Sequence, residues 1–187
     1  MQAEFSVELG SEDAALEIPW SSPDGTFRFL DLRRHPELVL QIREAAANPE
    51  LKEFLAAINA RSRFYTAKCD VWFSPEVNPE EEIFGACKFG SYVDLVLASA
   101  REKFSDLSHS FDEHSRLLQD IVKELGREPD LAASAEFILR RCYFHQESGI
   151  SEGCYATLYV LGFGEDEQQA RRSWSEALKT VQSVLAR

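Results

Sequence analysis

No run of about 18 apolar residues occurs in the chain, so no helix is expected to span a bilayer. The opening Met1-Gln2-Ala3-Glu4 has neither a basic segment nor an apolar core, so no secretory leader is expected. Positive charge is scarce: 20 Lys and Arg stand against 32 Asp and Glu, for a net charge of −12. A chain this acidic lacks the dense cationic face that neutralises phosphates or holds an anionic membrane, which argues against nucleic acid and membrane as partners. Cysteine is sparse and spread. Cys69, Cys87, Cys142 and Cys154 do not make a disulfide scaffold, and a reducing, cytoplasmic setting is the expectation.

The motifs that announce chemistry are missing too. There is no CxxC, HxxxH or HExxH spacing for a metal, and His109 and His114 stand five apart, which is poor for chelation. Gly85 to Gly90 contains glycine and lysine but lacks the GxxxxGK[ST] phosphate-loop pattern, and strand-like sequence follows it. Gly162-Phe163-Gly164 opens a helical stretch, yet Glu165, Asp166 and Glu167 would repel an anion there. No GxSxG presents a serine nucleophile. Neither cofactor nor metal is expected.

What is present is a rhythm. Strand-like runs at 5–9 and 14–20 precede helical sequence at 36–60; runs at 63–73 and 88–98 precede a helix at 111–126; runs at 135–146 and 153–163 precede a helix at 166–186. Three hairpin–helix units predict an α+β fold: a single antiparallel sheet of about six strands, with helices packed mainly on one face, in one domain over 1–187. The chain is long enough to bury roughly 70% of the surface its unfolded form exposes.

Local signals refine the pattern. Gly10-Ser11-Glu12-Asp13 reads as the first turn, and Phe27–Leu32 as a third short strand. Pro36 reads as a helix start, and Asn48-Pro49 as a break and restart with Asn as cap. Ser110 and Glu113 have capping-box spacing. Ala170, Trp174, Ala177, Leu178, Val181 and Leu185 form the buried stripe of the last helix. Residues 74–87, with Pro75, Pro79 and an acidic run, make the longest irregular connection.

The period of two along strands sorts side chains onto faces. A turn centred near Ser148 sets Cys142 opposite Cys154, both as reduced thiols. It places Ile138, Arg140, Cys142 and Phe144 under the helices, and Phe137, Leu139, Arg141, Tyr143 and His145 on the other face with Tyr155, Thr157 and Tyr159. The middle hairpin adds Thr66, Lys68, Asp70, Trp72, Tyr92 and Asp94 to that open face. The expected site is therefore Lys68, Asp70, Trp72, Tyr92, Asp94, Arg141, Tyr143, His145, Tyr155 and Tyr159.

Aromatics with polar tips are enriched at recognition surfaces. The face is expected to bind a protein partner or small-molecule ligand without catalysis, or a second copy of the chain. The plainer alternative is a solvated face whose charges pair across strands. Two other functions fit the residue types: a small hydrolase- or isomerase-like enzyme, with His145 as general base oriented by Asp70 or Asp94 and Arg141 stabilising negative charge, and an acidic neutralising partner of a basic protein, docking through Glu76 and Glu80-Glu81-Glu82.

Limited proteolysis of the native protein is expected to cut first near Glu80, leaving the rest folded; a first cut between 46 and 49 would mean that the 74–87 connection is packed.

Overall fold

The structure is a computed structural model that describes residues 1–187 except 11, 14, 100–106, 128–129 and 148. Its strands are β1 (Gln2–Glu8), β2 (Leu16–Ile18), β3 (Phe64–Ser74), β4 (Cys87–Leu97), β5 (Ala133–Gln146) and β6 (Gly149–Gly164). Its helices are α1 (Arg43–Ala47), α2 (Pro49–Arg61), α3 (Leu107–Leu125) and α4 (Glu167–Leu185), with 3-10 turns at Pro36–Gln41 and Pro79–Glu81. Among the described residues, no helix is long and apolar enough to cross a membrane.

The architecture is α+β with one six-stranded sheet of order β1-β5-β6-β4-β3, and β2 beside β5. The sheet is mixed and not antiparallel throughout. β3, β4, β6 and β5 form an antiparallel run, but β1 and β2 both pair parallel with β5. The first two strands therefore do not form a hairpin. β1 runs along β5 to Glu8↔Arg140, the chain loops out, and β2 resumes the same edge at Leu16↔Cys142. Alternation reports which residues share a face and is blind to strand direction, so a looped-out edge reads like a hairpin. Ser11 of the expected first turn, and Ser148 of the last, lie outside the described residues. Phe27–Leu32 forms no strand; an isolated bridge, Ser21↔Arg28, stands in its place.

The β5–β6 register determines which side chains meet the helices. Gln146 pairs with Gly149, so Arg141 faces Cys154 and Cys142 faces Gly153. This is one residue away from the register expected for a turn centred near Ser148. A one-residue slip inverts one strand. Phe137 and Leu139 pair with Leu158 and Ala156 on the helix face, while Ile138 and Arg140 join Thr157 and Tyr155 on the other. Cys142 and Cys154 consequently lie on opposite faces as free thiols. A second departure is a bulge between Thr66 and Cys69. It turns Thr66 toward α2, where Asn59 Nδ2 donates to its Oγ1 at 2.8 Å, and moves Tyr65 to the opposite face.

α4 lies closest to the sheet. Asp166 caps it, accepting the Gln169 N–H at 2.8 Å. Trp174 is fully buried, donates Nε1–H to Ser91 Oγ at 2.9 Å and packs 4.9 Å from the Phe89 ring. Gly162 makes this approach possible: a Cβ there would come within 2.0 Å of the Trp174 backbone nitrogen. α2 begins at Pro49 as expected, although Asn48 offers no side-chain cap, and it carries the buried stripe Leu51, Phe54, Leu55 and Ile58.

Ser110 is not a helix cap. It sits buried within α3, and its Oγ accepts the Cys154 N–H at 3.0 Å, beyond the point where β4's pairing with β6 ends at Leu95↔Ala156. The hydroxyl takes over where the neighbouring strand stops, which satisfies a buried donor. One turn on, His114 is fully buried; its Nδ1 bonds the Ser110 carbonyl at 2.7 Å.

Trp174→Ala should destabilise by about 3–5 kcal/mol, since it empties a large buried volume and orphans Ser91. Trp72, half-buried on the opposite face, should cost much less on the same change. Equal shifts of urea midpoint for the two variants would show that the faces are assigned the wrong way round.

Candidate functional site

The segment 19–47 leaves β2 at one side of the sheet and reaches β3 at the other. Trp20 Nε1–H donates to Ala67 O at 2.8 Å, the Phe29 ring stands edge-on to Tyr65 at 6.2 Å, and Arg33 donates to Ser62 O at 3.3 Å. The sheet face turned away from the helices is thus divided. Its half near Tyr65, Asp94, Tyr155 and Thr157 is buried, and its other half is open to solvent.

A polar chain runs from the buried half to the β1 edge, with Asp94 and Thr157 buried and Arg140 and Glu8 partly exposed. Thr157 Oγ1–H donates to Asp94 Oδ1 at 2.8 Å; Arg140 donates Nη1–H to Thr157 Oγ1 at 3.0 Å and Nε–H to Glu8 Oε2 at 2.8 Å. Four strand positions on β1, β5, β6 and β4 are tied together across the sheet. Burial pushes the Asp94 carboxyl up to about 6, against the opposing pull of the Thr157 hydrogen bond and the Lys68 and Arg140 charges. Burial also pushes the Tyr155 hydroxyl up to about 12 and raises that of Tyr92.

The open half is aromatic. Trp72 and Tyr92 both pack on Tyr159, with ring centroids 6.4 and 6.0 Å away. Gly90 lies beneath: a Cβ there would meet Leu161 Cδ2 at 2.7 Å and Trp72 Cζ2 at 2.8 Å, so these two side chains close over bare backbone. Trp72, Tyr92, Tyr159 and Leu161 are all half-buried. At the border of the two halves, a cleft of about 770 Å³ opens between β3 and the 19–47 segment. Lys68, Asp70 and Tyr92 form its sheet side and Trp20 and Phe27 the other; the Lys68 ammonium lies 4.8 Å from the Trp20 ring centroid.

Of the ten expected residues, Lys68, Asp70, Trp72, Tyr92, Asp94, Tyr155 and Tyr159 come together on this face, with Asp94 and Tyr155 beneath the crossing segment. Arg141, Tyr143 and His145 do not join them, because the β5 register turns them the other way. Arg141 donates to Leu9 O at 2.8 Å and pairs with Glu152 at 3.2 Å. Tyr143 stands between Glu17 and Glu152 in register. His145 is bonded to Glu17, not to Asp70 or Asp94. Thr157 joins this face as the pattern expected; Arg140, Glu8, Leu161 and Trp20 were not anticipated. A two-residue connection between Gln146 and Gly149 is the signal that would have placed Arg140.

The thiols offer no strong nucleophile. Burial pushes Cys69 up to about 12 and Cys154 up to about 11. The chain matches no family model, no curated protein and no solved structure.

Two buried groups set opposing pH dependences. Burial holds His114 down at about 4. Its unfolded form therefore takes up a proton first, and stability falls as pH drops from 6.5 toward 4. Asp94 is shifted the other way, so the folded form keeps its proton longer, and stability falls as pH rises from 3.8 toward 6. Each shift corresponds to about 3 kcal/mol. Asp94→Asn should therefore gain stability over wild type by up to about 3 kcal/mol between pH 4 and pH 7. A gain unchanged across that range in urea titrations would show that Asp94 is not buried as a charge.

Proposed function

We propose that this chain is a non-catalytic recognition module whose uncovered sheet face binds a protein or small ligand. The observation that carries this reading is the half-buried set Trp72, Tyr92, Tyr159 and Leu161, closed over Gly90 and bordered by the cleft at Lys68 and Asp70. Rigid aromatics with polar tips lose little entropy on contact and supply much apolar area, as binding anchors do. The Glu8–Arg140–Thr157–Asp94 chain, buried at its Thr157 and Asp94 end, supports the reading as a scaffold that holds the strands in register beneath that surface. Four free cysteines, three of them buried, fit a reducing compartment such as the cytoplasm.

The test is affinity capture from cell extract with wild-type protein and with Trp72→Ala and Tyr159→Ala, beside sedimentation velocity over a range of concentrations. A specific partner, or a self-association, should be present in wild type and lost in both variants while their melting temperatures stay close to wild type. Identical captured sets and identical monomeric sedimentation for all three proteins would overturn the proposal.

A further inference from the structure

We propose that the cleft between β3 and the 19–47 segment is a binding site for a small anion with a flat apolar body, such as an aromatic carboxylate or sulfonate. This rests on the reading of the face as a recognition surface and gives that surface a ligand class. The cleft's volume of about 770 Å³ falls among ligand pockets, which run from about 300 to about 1,000 Å³. Trp20 and Tyr92 supply aromatic walls, Leu30 and Ile42 aliphatic ones, and Phe27, 55% exposed, stands at the mouth.

The walls are held in place before any ligand arrives. Trp20 is oriented by its hydrogen bond to Ala67 O. The loop carrying Phe27 is knitted by Asp24, which accepts from Ser22 Oγ at 2.5 Å and Thr26 Oγ1 at 2.6 Å, while Ser22 N–H donates to Phe27 O at 2.8 Å. The Ser22 and Thr26 hydrogen bonds hold the Asp24 carboxyl down at about 2. Gly25, at φ 72°, supplies the left-handed residue the turn needs. Walls fixed in advance lower the ordering cost of binding.

Charge selects the sign of the ligand. The chain carries −12 overall, yet three cations, Lys68, Arg28 and Arg43, line this cleft against two carboxylates, Glu44 and Asp70. Glu44 lies 3.7 Å from Arg43, and Asp70 Oδ1 accepts the neighbouring Val71 N–H at 2.8 Å. Asp94, whose charge also senses Lys68, is buried and committed to Thr157. Lys68 and Arg28 form no ion pair among the described residues. An entering anion finds three cations against two carboxylates beside aromatic surface, with the Lys68 ammonium already held over the Trp20 ring.

The experiment titrates the full chain with 8-anilinonaphthalene-1-sulfonate and with its neutral analogue N-phenyl-1-naphthylamine, following probe fluorescence and tryptophan quenching. The sulfonate should bind saturably at one site and be displaced by 2-naphthoate, and the neutral analogue should bind roughly tenfold more weakly. Lys68→Met and Arg28→Met should each weaken the sulfonate roughly tenfold and leave the neutral analogue unchanged, which also shows that the variants are folded. Asp70→Asn should not weaken it. No saturable binding, equal affinity for the two probes, or indifference to Lys68 and Arg28 would overturn the proposal. If the cleft fails while Trp72→Ala and Tyr159→Ala still lose their partner or self-association, only the ligand class falls; if both fail, the recognition reading falls with it.

Discussion

Arg140 faces Tyr155 across the central hairpin, and that pairing organises both sides of the sheet. It turns Phe137 and Leu139 toward the helices, where apolar area is removed from water. It also sets Arg140 on the opposite face, between Glu8 of the parallel edge strand and Thr157 of the antiparallel neighbour. Slipped by one residue, the same hairpin would send an arginine into the helix layer and two large apolar side chains under the polar covering segment. Burying an unpaired guanidinium is costly enough to exclude that register.

The two faces are built on different principles. The helix face is close-packed. Gly162 lets the α4 backbone touch β6, and Trp174 fills the space between Phe89 and Ser91. The other face is covered by the 19–47 segment, largely irregular chain with short helical turns at its end, and it carries the polar chain and the cleft. Asp94 ionises near pH 6 because that covering removes it from water without giving it a directly bonded cation. Where the covering stops, Trp72, Tyr159 and Leu161 emerge. Fixed aromatics, a bordering cleft and local charge are the features on which the proposed recognition role rests.

Much of this was legible in the residues themselves. Apolar alternation located β3 to β6 within a few residues, because period two is imposed by the strand itself. The i, i+3, i+4 stripe through Trp174 located α4, and Asn48-Pro49 the break between α1 and α2, because proline cannot continue a helix. Six of the seven expected residues that meet on the open face lie on β3 within or after its bulge, on β4, or at Tyr159. The seventh, Tyr155, lies on β6, whose faces the pattern also assigned correctly.

What the pattern could not supply was any relation between segments distant in the chain. Whether β1 pairs with β2 or runs parallel to β5, which residue of β5 meets which residue of β6, and where β3 bulges are decided by which arrangement satisfies buried polar groups and fills the core. Ser110 shows the difference plainly. Its spacing to Glu113 suits a local cap, but a donor on a strand 44 residues away claims its hydroxyl. The sequence by itself determined most of the elements, the inner faces of β4, β6 and α4 and the aromatic character of one surface, because these follow from short-range periodicity and backbone chemistry. Only the tertiary structure decided the mixed sheet, the choice of Arg140 over Arg141, and the cleft, because each depends on contacts between segments that no local period encodes.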